Sequence, residues 1–168
     1  MYQDDKDLLN LFKEPSSKEK AFTLIVKKYQ EKLYWHIRRL VVTHDDANDV
    51  LQNMFIKVWK GLQNFREDSQ LYTWLYRIAT NESLSFLDAQ KRKSTTSLTD
   101  VESDLSNKIK ADGNFDPNRL EWKLQLAIQR LPEKQRAVFN LRYYDEMPYE
   151  QMSKILETSE GALKASYH

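Results

Sequence analysis

The chain has no cysteine, only three glycines and only four prolines in 168 residues. Without cysteine it can form no disulfide, no thiolate nucleophile and no cysteine-ligated zinc site. The scarcity of glycine and proline, beside abundant Leu, Lys, Glu and Gln, argues against a turn-rich β-architecture and favours helices. The sequence therefore predicts an all-α protein.

Long apolar runs and histidine pairs are also missing. No stretch approaches the roughly 20 apolar residues that a membrane span requires, and the start, "MYQDDKDLLN", is acidic where a signal peptide is basic. The three histidines, His36, His44 and His168, include no close pair that would bind a metal. We expect a cytoplasmic protein with no membrane insertion by this chain, no metal and no cofactor.

Charge and motifs narrow the function further. The formal net charge is +1, so any contact with nucleic acid must come from local patches rather than from bulk electrostatics. The chain has no Gly-rich phosphate loop, no HExxH and no nucleophile motif, and its carboxylates follow helix starts or solvated faces. We therefore expect that it is not an enzyme.

Residues 1–93 are predicted to form one helical domain. Ser16 with Glu19 has the capping-box spacing, and Thr43 or Asp45 can cap a second long helix. A third helix is predicted from about residue 71 to 91. The apolar positions that recur at three- and four-residue steps are Phe22, Ile25, Tyr29, Leu33, Ile37 and Leu40, followed by Leu51, Phe55, Val58 and Leu62.

Residues 94–116 read as a flexible acidic linker, because five acids stand against two lysines and the apolar periodicity disappears. Residues 117–168 then contain four short helices with tight connections. The last two, in "MPYEQMSKILETSEGALKASYH", have the spacing of a helix-turn-helix, whose second helix enters the DNA major groove. The sequence therefore predicts two small helical domains joined by a flexible linker.

The stretch that ends the first domain combines rings with cations. Such a combination suits single-stranded nucleic acid, because bases stack on rings while cations follow phosphates. Aromatic residues at helical spacing are, however, usually core, and a basic run at a helix end complements the helix dipole. The residues concerned are Phe65, Arg66, Tyr72, Trp74, Tyr76, Arg77 and Asn81, with Lys91, Arg92 and Lys93 at the end.

The second long helix has another face besides its buried stripe. It carries Asp49, Gln52, Asn53, Ile56, Trp59 and Lys60. An apolar Ile and Trp among polar groups is a common composition of a protein-docking face. A tryptophan that lies against a neighbouring helix would be equally ordinary, so both interpretations stay open here.

Three segments together resemble the extracytoplasmic-function (group IV) sigma factors of bacterial RNA polymerase. They are "DANDVLQNMFIKVWKGLQNF", "TWLYRIATNESLSFLDAQKRK" and "LPEKQRAVFNLRYYDEMPYEQMSKIL", in the family's order and spacing. The resemblance implies a factor that binds core RNA polymerase and directs it to promoters by recognising minus-10 and minus-35 elements and promoting melting. It covers nearly the whole chain except the linker, which the family threads near the RNA exit path.

The resemblance also assigns roles to residues. The docking face, with Asp46 added, falls where the family grips the clamp helices of the largest polymerase subunit. Asn64, Thr73 and the aromatic and cationic set above fall where it opens the minus-10 element. Leu75 follows Trp74 where primary sigma factors have a second aromatic residue, so we expect weaker melting and stricter promoter demands.

For the minus-35 element the resemblance points to the last helix pair. The residues are Tyr149, Ser159, Glu160, Lys164 and His168. Glu157 holds a turn position where the family commonly has glycine, and family members usually continue the last helix with a basic stretch. We therefore expect weak minus-35 binding for the chain as written, apparently truncated in its recognition helix. An anti-sigma factor is a further partner that the resemblance implies.

The residues alone are also compatible with two other functions. An ordinary helix-turn-helix regulator would bind double-stranded DNA tightly without polymerase. A helical adaptor that binds only proteins would show no dependence on DNA. Polymerase binding followed by promoter-dependent initiation separates the three.

Overall fold

A computed structural model of the chain describes residues 4–65, 70–93, 123–124, 127–128 and 130–167. Within these ranges the regular structure is helical, without a strand, which confirms the expected all-α class. The helices are α1 (Asp5–Lys13), α2 (Lys18–Val41), α3 (His44–Gly61), α4 (Leu71–Lys93), α5 (Glu133–Tyr143), α6 (Tyr149–Leu156) and α7 (Glu160–Tyr167), with short 3-10 turns at Pro15–Ser17 and Leu62–Asn64.

The N-terminal domain, α1 to α4, is built on the apolar stripe of α2. Ile25, Leu33 and Ile37 have no exposed surface, and α3 and α4 pack against them with Val58 and Leu75. Each such side chain stabilises the fold by roughly 1.5–3 kcal/mol on burial. The periodicity of the sequence therefore identified this core, except that Phe22 and Leu51 are half-buried and line an open groove.

The two predicted helix caps of this domain have different outcomes. Thr43 caps α3 as expected, since its Oγ1 accepts a hydrogen bond from the Asp46 N–H at 3.3 Å. The capping box at Ser16 is wrong, because Ser16 lies inside the 3-10 turn and α2 follows Ser17. The Ser17 hydroxyl donates to the Leu11 carbonyl at 2.7 Å, so this serine holds α1 to the turn and does not cap α2.

The turn between α2 and α3 is strained. Val42 has φ 84° and ψ −49°, and the Thr43 N–H donates to the Val41 carbonyl at 3.1 Å, which closes a γ-turn. This conformation is rare for a β-branched residue and costs about 1–3 kcal/mol. Arg38 supports it, because its Nε donates to the Val42 carbonyl at 3.0 Å. The strain lets α3 begin almost immediately after α2 ends.

The C-terminal domain is a compact helix-turn-helix. Leu141, Met152, Ile155 and Leu163 from α5, α6 and α7 form its core. Ser159 caps α7 as expected, because its Oγ accepts from the Ala162 N–H at 3.2 Å. Residues 123, 124, 127 and 128, from the helix expected after Pro117, are helical, whereas residues 94–116 lie outside the described ranges. The proposed domain boundaries stay a prediction.

The turn between α6 and α7 contains a left-handed glutamate. Glu157 is exposed and has φ 54° and ψ 42°, as the sequence led us to expect if the family's glycine conformation is kept. We expect Glu157→Gly to stabilise the C-terminal domain by about 1 kcal/mol, because glycine adopts this conformation without steric cost. Urea denaturation measures the change. Glu150→Gly, in the right-handed α6, is the matched control and should destabilise by a similar amount; stabilisation by both changes would contradict the explanation.

The two domains contact each other through helices α5 and α6, which pack against α2 and α4. Among the residues that the structure describes, no helix combines the length and apolarity needed to cross a membrane.

Candidate functional site

The outer face of α3 carries an open apolar groove. Ile56 is 53% exposed, the highest value among the large hydrophobic residues of the described chain. It lies at a groove of about 480 Å³ shared with α2 and lined by Phe22, Val26, Gln30, Leu51, Gln52, Phe55 and Trp59. Asp49, Gln52, Asn53 and Lys60 are exposed around it, and Asp46 is half-buried. An apolar centre with a polar rim is the composition of a protein-docking surface.

Trp59 resolves one alternative that the sequence left open. Its ring packs edge-on against Phe12 at 5.7 Å and Phe22 at 5.1 Å, measured between ring centroids. The Lys18 ammonium lies 4.6 Å from the same ring. Trp59 is therefore mainly a wall of the groove, held by its neighbours, while Ile56 is the exposed apolar group.

A second surface lies where α3 ends and α4 begins. The Phe65 and Trp74 rings are tilted against each other with centroids 5.0 Å apart, and both are half-buried. Gly61 makes room for this pair, since a Cβ there would lie 3.2 Å from Trp74 Cζ2. Asn64, Asn81, Lys91 and Arg92 are exposed, whereas Arg66 and the side chain of Lys93 lie outside the described residues. Rings and amide groups thus lie near the start of α4, whereas Lys91 and Arg92 lie at its other end, roughly 25 Å away along the helix.

Three residues predicted for this surface lie deeper than expected. Thr73 and Tyr76 are buried, and Tyr72 is half-buried between Tyr29 and Tyr76 with centroid distances of 6.3 and 4.6 Å. Burial, aided by the Asp145 charge, raises the pKa of Tyr76, whose hydroxyl stays protonated. In this structure Thr73 and Tyr76 cannot contact DNA. Leu75 has no exposed surface and belongs to the core.

Tyr76 lies at a polar junction between the two domains, which no local sequence pattern predicted. We use this name for His36, Arg39, Tyr76, Arg136 and Asp145. Asp145 follows α5; its Oδ1 accepts from the Tyr76 hydroxyl at 3.4 Å, and its Oδ2 lies 3.8 Å from His36 Nδ1. His36 Nε2 is hydrogen-bonded to the Thr80 hydroxyl at 2.8 Å.

Burial shifts the pKa values of His36 and Asp145 in this junction. Desolvation, aided by the Arg39 charge, lowers the pKa of His36 to about 3, so this histidine is neutral. Desolvation raises the pKa of Asp145 to about 6, although Arg39 and the Tyr76 hydrogen bond oppose the change. Asp145 is thus ionised at neutral pH at an energetic cost.

The helix-turn-helix presents a third surface. Lys164 and Glu160 are exposed on α7, and Ser159 is exposed at its cap. Tyr149 is half-buried, with the Arg142 guanidinium 4.6 Å and the Lys164 ammonium 5.6 Å from its ring centroid. His168 lies outside the described residues. The structure therefore brings Tyr149 and Lys164 together.

Among the described residues no group of three His, Asp or Glu side chains could hold a metal ion. Two helical domains with a docking face and a helix-turn-helix define a helical transcription factor.

Comparison with known proteins gives the family. The chain matches the model of sigma-70 region 2 over residues 25–93 and that of sigma-70, region 4 over residues 121–168. It is 34% identical to the RNA polymerase sigma-H factor of Pseudomonas aeruginosa, over 88% of this chain and 80% of that protein. The ECF RNA polymerase sigma-E factor of Escherichia coli K12 is also 34% identical, over 88% and 81% of the two chains. The chain belongs to the extracytoplasmic-function group of the sigma-70 family, and it is a sigma factor of transcription initiation.

Solved structures that share the fold include two sigma-factor complexes. CnrH, in complex with the cytosolic domain of CnrY, has a TM-score of 0.65 at 20% identity, over 96% of this chain and 88% of that chain. RpoE, in complex with the anti-sigma factor NepR from Bartonella quintana, also has 0.65, at 23% identity over 88% and 89%.

Proposed function

We propose that the chain binds core RNA polymerase through the α3 groove and directs it to promoters through the surfaces on α4 and α7. The observation that carries the proposal is the separation of the exposed apolar face at Ile56 from the aromatic surface at Phe65 and Trp74 on the same domain. A sigma factor must hold polymerase and promoter together, and this domain offers a distinct surface for each.

The α3 groove suits the clamp helices of the largest polymerase subunit. A helix laid in the groove would bury Ile56 and the apolar lining, while Asp49, Gln52 and Asn53 hydrogen-bond at the rim. Asp46 and Lys60 add charges of opposite sign at the two ends of the face. Such charges contribute more to orientation and association rate than to affinity.

The loop end of α4 suits unpaired bases of the minus-10 element. Extruding a base costs a few kcal/mol of unstacking, which stacking and hydrogen bonding must offset. Phe65 and Trp74 offer ring faces and Asn64 and Asn81 offer amides, while Lys91 and Arg92, at the opposite end of α4, offer charges for phosphates farther along the strand. Arg66 and Lys93 are assigned to the same role by their positions in the sequence.

The last helix is proposed to contact the minus-35 element. Lys164 and Glu160 lie on its exposed side, beside Tyr149 and the cap at Ser159. His168 follows Lys164 by four residues in the sequence and is assigned to the same role by that position. Because a single short helix provides few phosphate contacts, this surface contributes a modest share of the affinity.

Lys164→Ala should weaken binding of the polymerase complex to minus-35 promoter DNA and lower the slope of log affinity against log salt by about 1. The reason is the loss of one phosphate contact from an exposed ammonium group. Lys134→Ala, which removes an exposed lysine from α5, is the matched control. An unchanged slope for Lys164→Ala would remove this residue from the DNA surface.

We also propose an anti-sigma factor as a partner and the cytoplasm as the place of action. Two proteins of similar fold, CnrH and RpoE, were solved with CnrY and with the anti-sigma factor NepR respectively. A protein that covers the α3 groove would compete with polymerase for Ile56. Catalysis is no part of the proposal, because binding alone accounts for the surfaces described.

Reconstituted transcription tests the whole proposal. Purified chain and core polymerase are mixed with a library of promoter fragments, and initiated transcripts are sequenced. The proposal predicts stable polymerase binding and transcripts from a narrow promoter set. Failure to bind core polymerase would contradict the proposed function. DNA binding without polymerase would favour an ordinary helix-turn-helix regulator instead.

A further inference from the structure

We propose that Gly61 is a positioning residue for promoter melting. The absence of a side chain at the end of α3 seats the Trp74 indole, and the indole holds the Phe65 ring at the angle from which it stacks on a minus-10 base. This inference rests on the proposed function of the surface at Phe65 and Trp74. Neither the aromatic nor the cationic pattern of the sequence marks Gly61.

The backbone conformation at Gly61 does not require glycine. Its φ of −92° and ψ of −17° lie in the right-handed helical region, which other residues also adopt. Glycine is moreover a poor helix former compared with alanine, because it loses more backbone entropy on folding. An advantage of glycine at this position must therefore come from its surroundings.

The side chain that comes nearest to this position in the described structure is Trp74. A Cβ on residue 61 would lie 3.2 Å from Cζ2 and 3.6 Å from Cη2 of the indole. The first distance is shorter than the optimal separation of two carbon atoms, about 3.5–4.0 Å. At Gly161, by contrast, a Cβ would have open space within 4 Å in the described part of the chain. An alanine at position 61 therefore requires a shift of a few tenths of an ångström.

The indole is the part that shifts, because hydrogen bonds hold the backbone that connects Gly61 to Phe65. The Leu62 N–H donates to the Val58 carbonyl, and the Phe65 N–H donates to the Leu62 carbonyl at 3.2 Å. The Leu62 side chain is also buried. The Trp74 ring is only half-buried, so it moves more easily than this backbone.

The position of the indole determines the angle of the ring that is proposed to stack on a base. The Trp74 and Phe65 rings are in contact, with centroids 5.0 Å apart and an angle of 48° between their planes. Stacking depends on the relative orientation of the two rings, so a tilted Phe65 ring stacks less well. Gly61 therefore acts on melting through Trp74 and Phe65.

Gly61→Ala should lower the yield of open promoter complexes about threefold, which is less than removal of the Phe65 ring, because stacking is weakened but not lost. The yield is measured with saturating core polymerase and a fluorescent base analogue in the minus-10 element. No loss beside the native Trp74 would overturn the proposal.

The matched control is the same substitution in a Trp74→Phe background. Phenylalanine lacks the Cζ2 and Cη2 atoms that face Gly61, so Gly61→Ala should not change the yield there. Trp74→Phe has an effect of its own, and the comparison is between the two effects of the alanine. Equal losses in the two backgrounds would overturn the proposal.

Stability and polymerase affinity separate positioning from folding. Because alanine favours a helix over glycine, Gly61→Ala should keep or raise the urea midpoint while melting falls. Affinity for core polymerase should stay the same, since Gly61 does not line the α3 groove. A parallel loss of stability, polymerase affinity and melting would assign Gly61 to the fold and contradict a positioning role.

Fluorine NMR of the free chain observes the indole directly. The chain has four tryptophans, so 5-fluorotryptophan gives four resonances, and the one lost in Trp74→Phe belongs to Trp74. Gly61→Ala should shift this resonance and leave the other three in place. Gly161→Ala, at a position with open space, should shift none of them. An unmoved Trp74 resonance in Gly61→Ala would overturn the proposal.

These measurements distinguish this inference from the function on which it rests. A shifted Trp74 resonance with reduced melting supports both. A shifted resonance with unchanged melting in an active protein would overturn the positioning role and leave the proposed function intact. A wild-type chain that opens no promoter with core polymerase would overturn both.

Discussion

Replacing Ile56 with glutamate is expected to weaken binding to core polymerase by at least about 30-fold and to abolish promoter-dependent transcription at limiting polymerase. Ile56 is more than half exposed, so the substitution removes little from the folded core. In the complex it would remove an apolar contact of roughly 2 kcal/mol and place a charge in an apolar groove. Affinity is measured by titrating labelled chain with core polymerase.

The matched control is Trp35→Glu. Trp35 is 44% exposed on α2 of the same domain and lies outside the groove lining. It should leave polymerase affinity unchanged, and both variants should keep the wild-type unfolding midpoint. Equal losses from the two substitutions would indicate a general effect of an added negative charge and would remove the groove from the interface.

Phe65→Ala should lower the yield of open promoter complexes about tenfold, because a stacked base loses roughly 1–3 kcal/mol when its ring partner is removed. The Phe65 ring is half-buried against Trp74 at the start of the proposed minus-10 surface. A fluorescent base analogue in the minus-10 element reports melting as open complexes form.

Phe65→Tyr keeps the aromatic face and should restore most of the open complex. Polymerase affinity should be the same for both variants, since Phe65 lies outside the α3 groove. If alanine reduces polymerase affinity as much as it reduces melting, the ring supports the fold at the end of α3 and does not stack on a base.

Helical periodicity predicted the fold well because the core residues recur at three- and four-residue steps along each helix. The buried stripe of α2 and the Thr43 and Ser159 caps are local features that neighbouring residues dictate. The Ser16 capping box failed because two serines follow Pro15, and spacing alone cannot decide which of them ends the 3-10 turn. The sequence also did not predict the γ-turn at Val42, since a β-branched residue rarely takes a positive φ.

The sequence predicted whether a candidate residue is exposed only where the surroundings of that residue come from its own helix. Ile56 was found because it faces away from a clear apolar stripe on its own helix. Tyr76 was misplaced because its surroundings include Asp145, 69 residues later in the chain. Arg136 and His36 escaped notice for the same reason: an isolated charged or polar residue in a helix gives no sign that another domain will bury it. Contacts between domains are decided by tertiary packing, which spacing does not encode.

The polar junction has a consequence for how this chain is best dissected. Two domains on one polypeptide, joined by a few tens of residues, meet each other at an effective concentration on the order of 1 mM. A junction with an intrinsic dissociation constant near that value would be about half closed in the intact chain. The same domains, purified separately and mixed at micromolar concentration, would show no association. Cutting the chain in two would therefore erase the contact that the intact chain maintains by connectivity, and a negative result from separated halves would carry no weight against it.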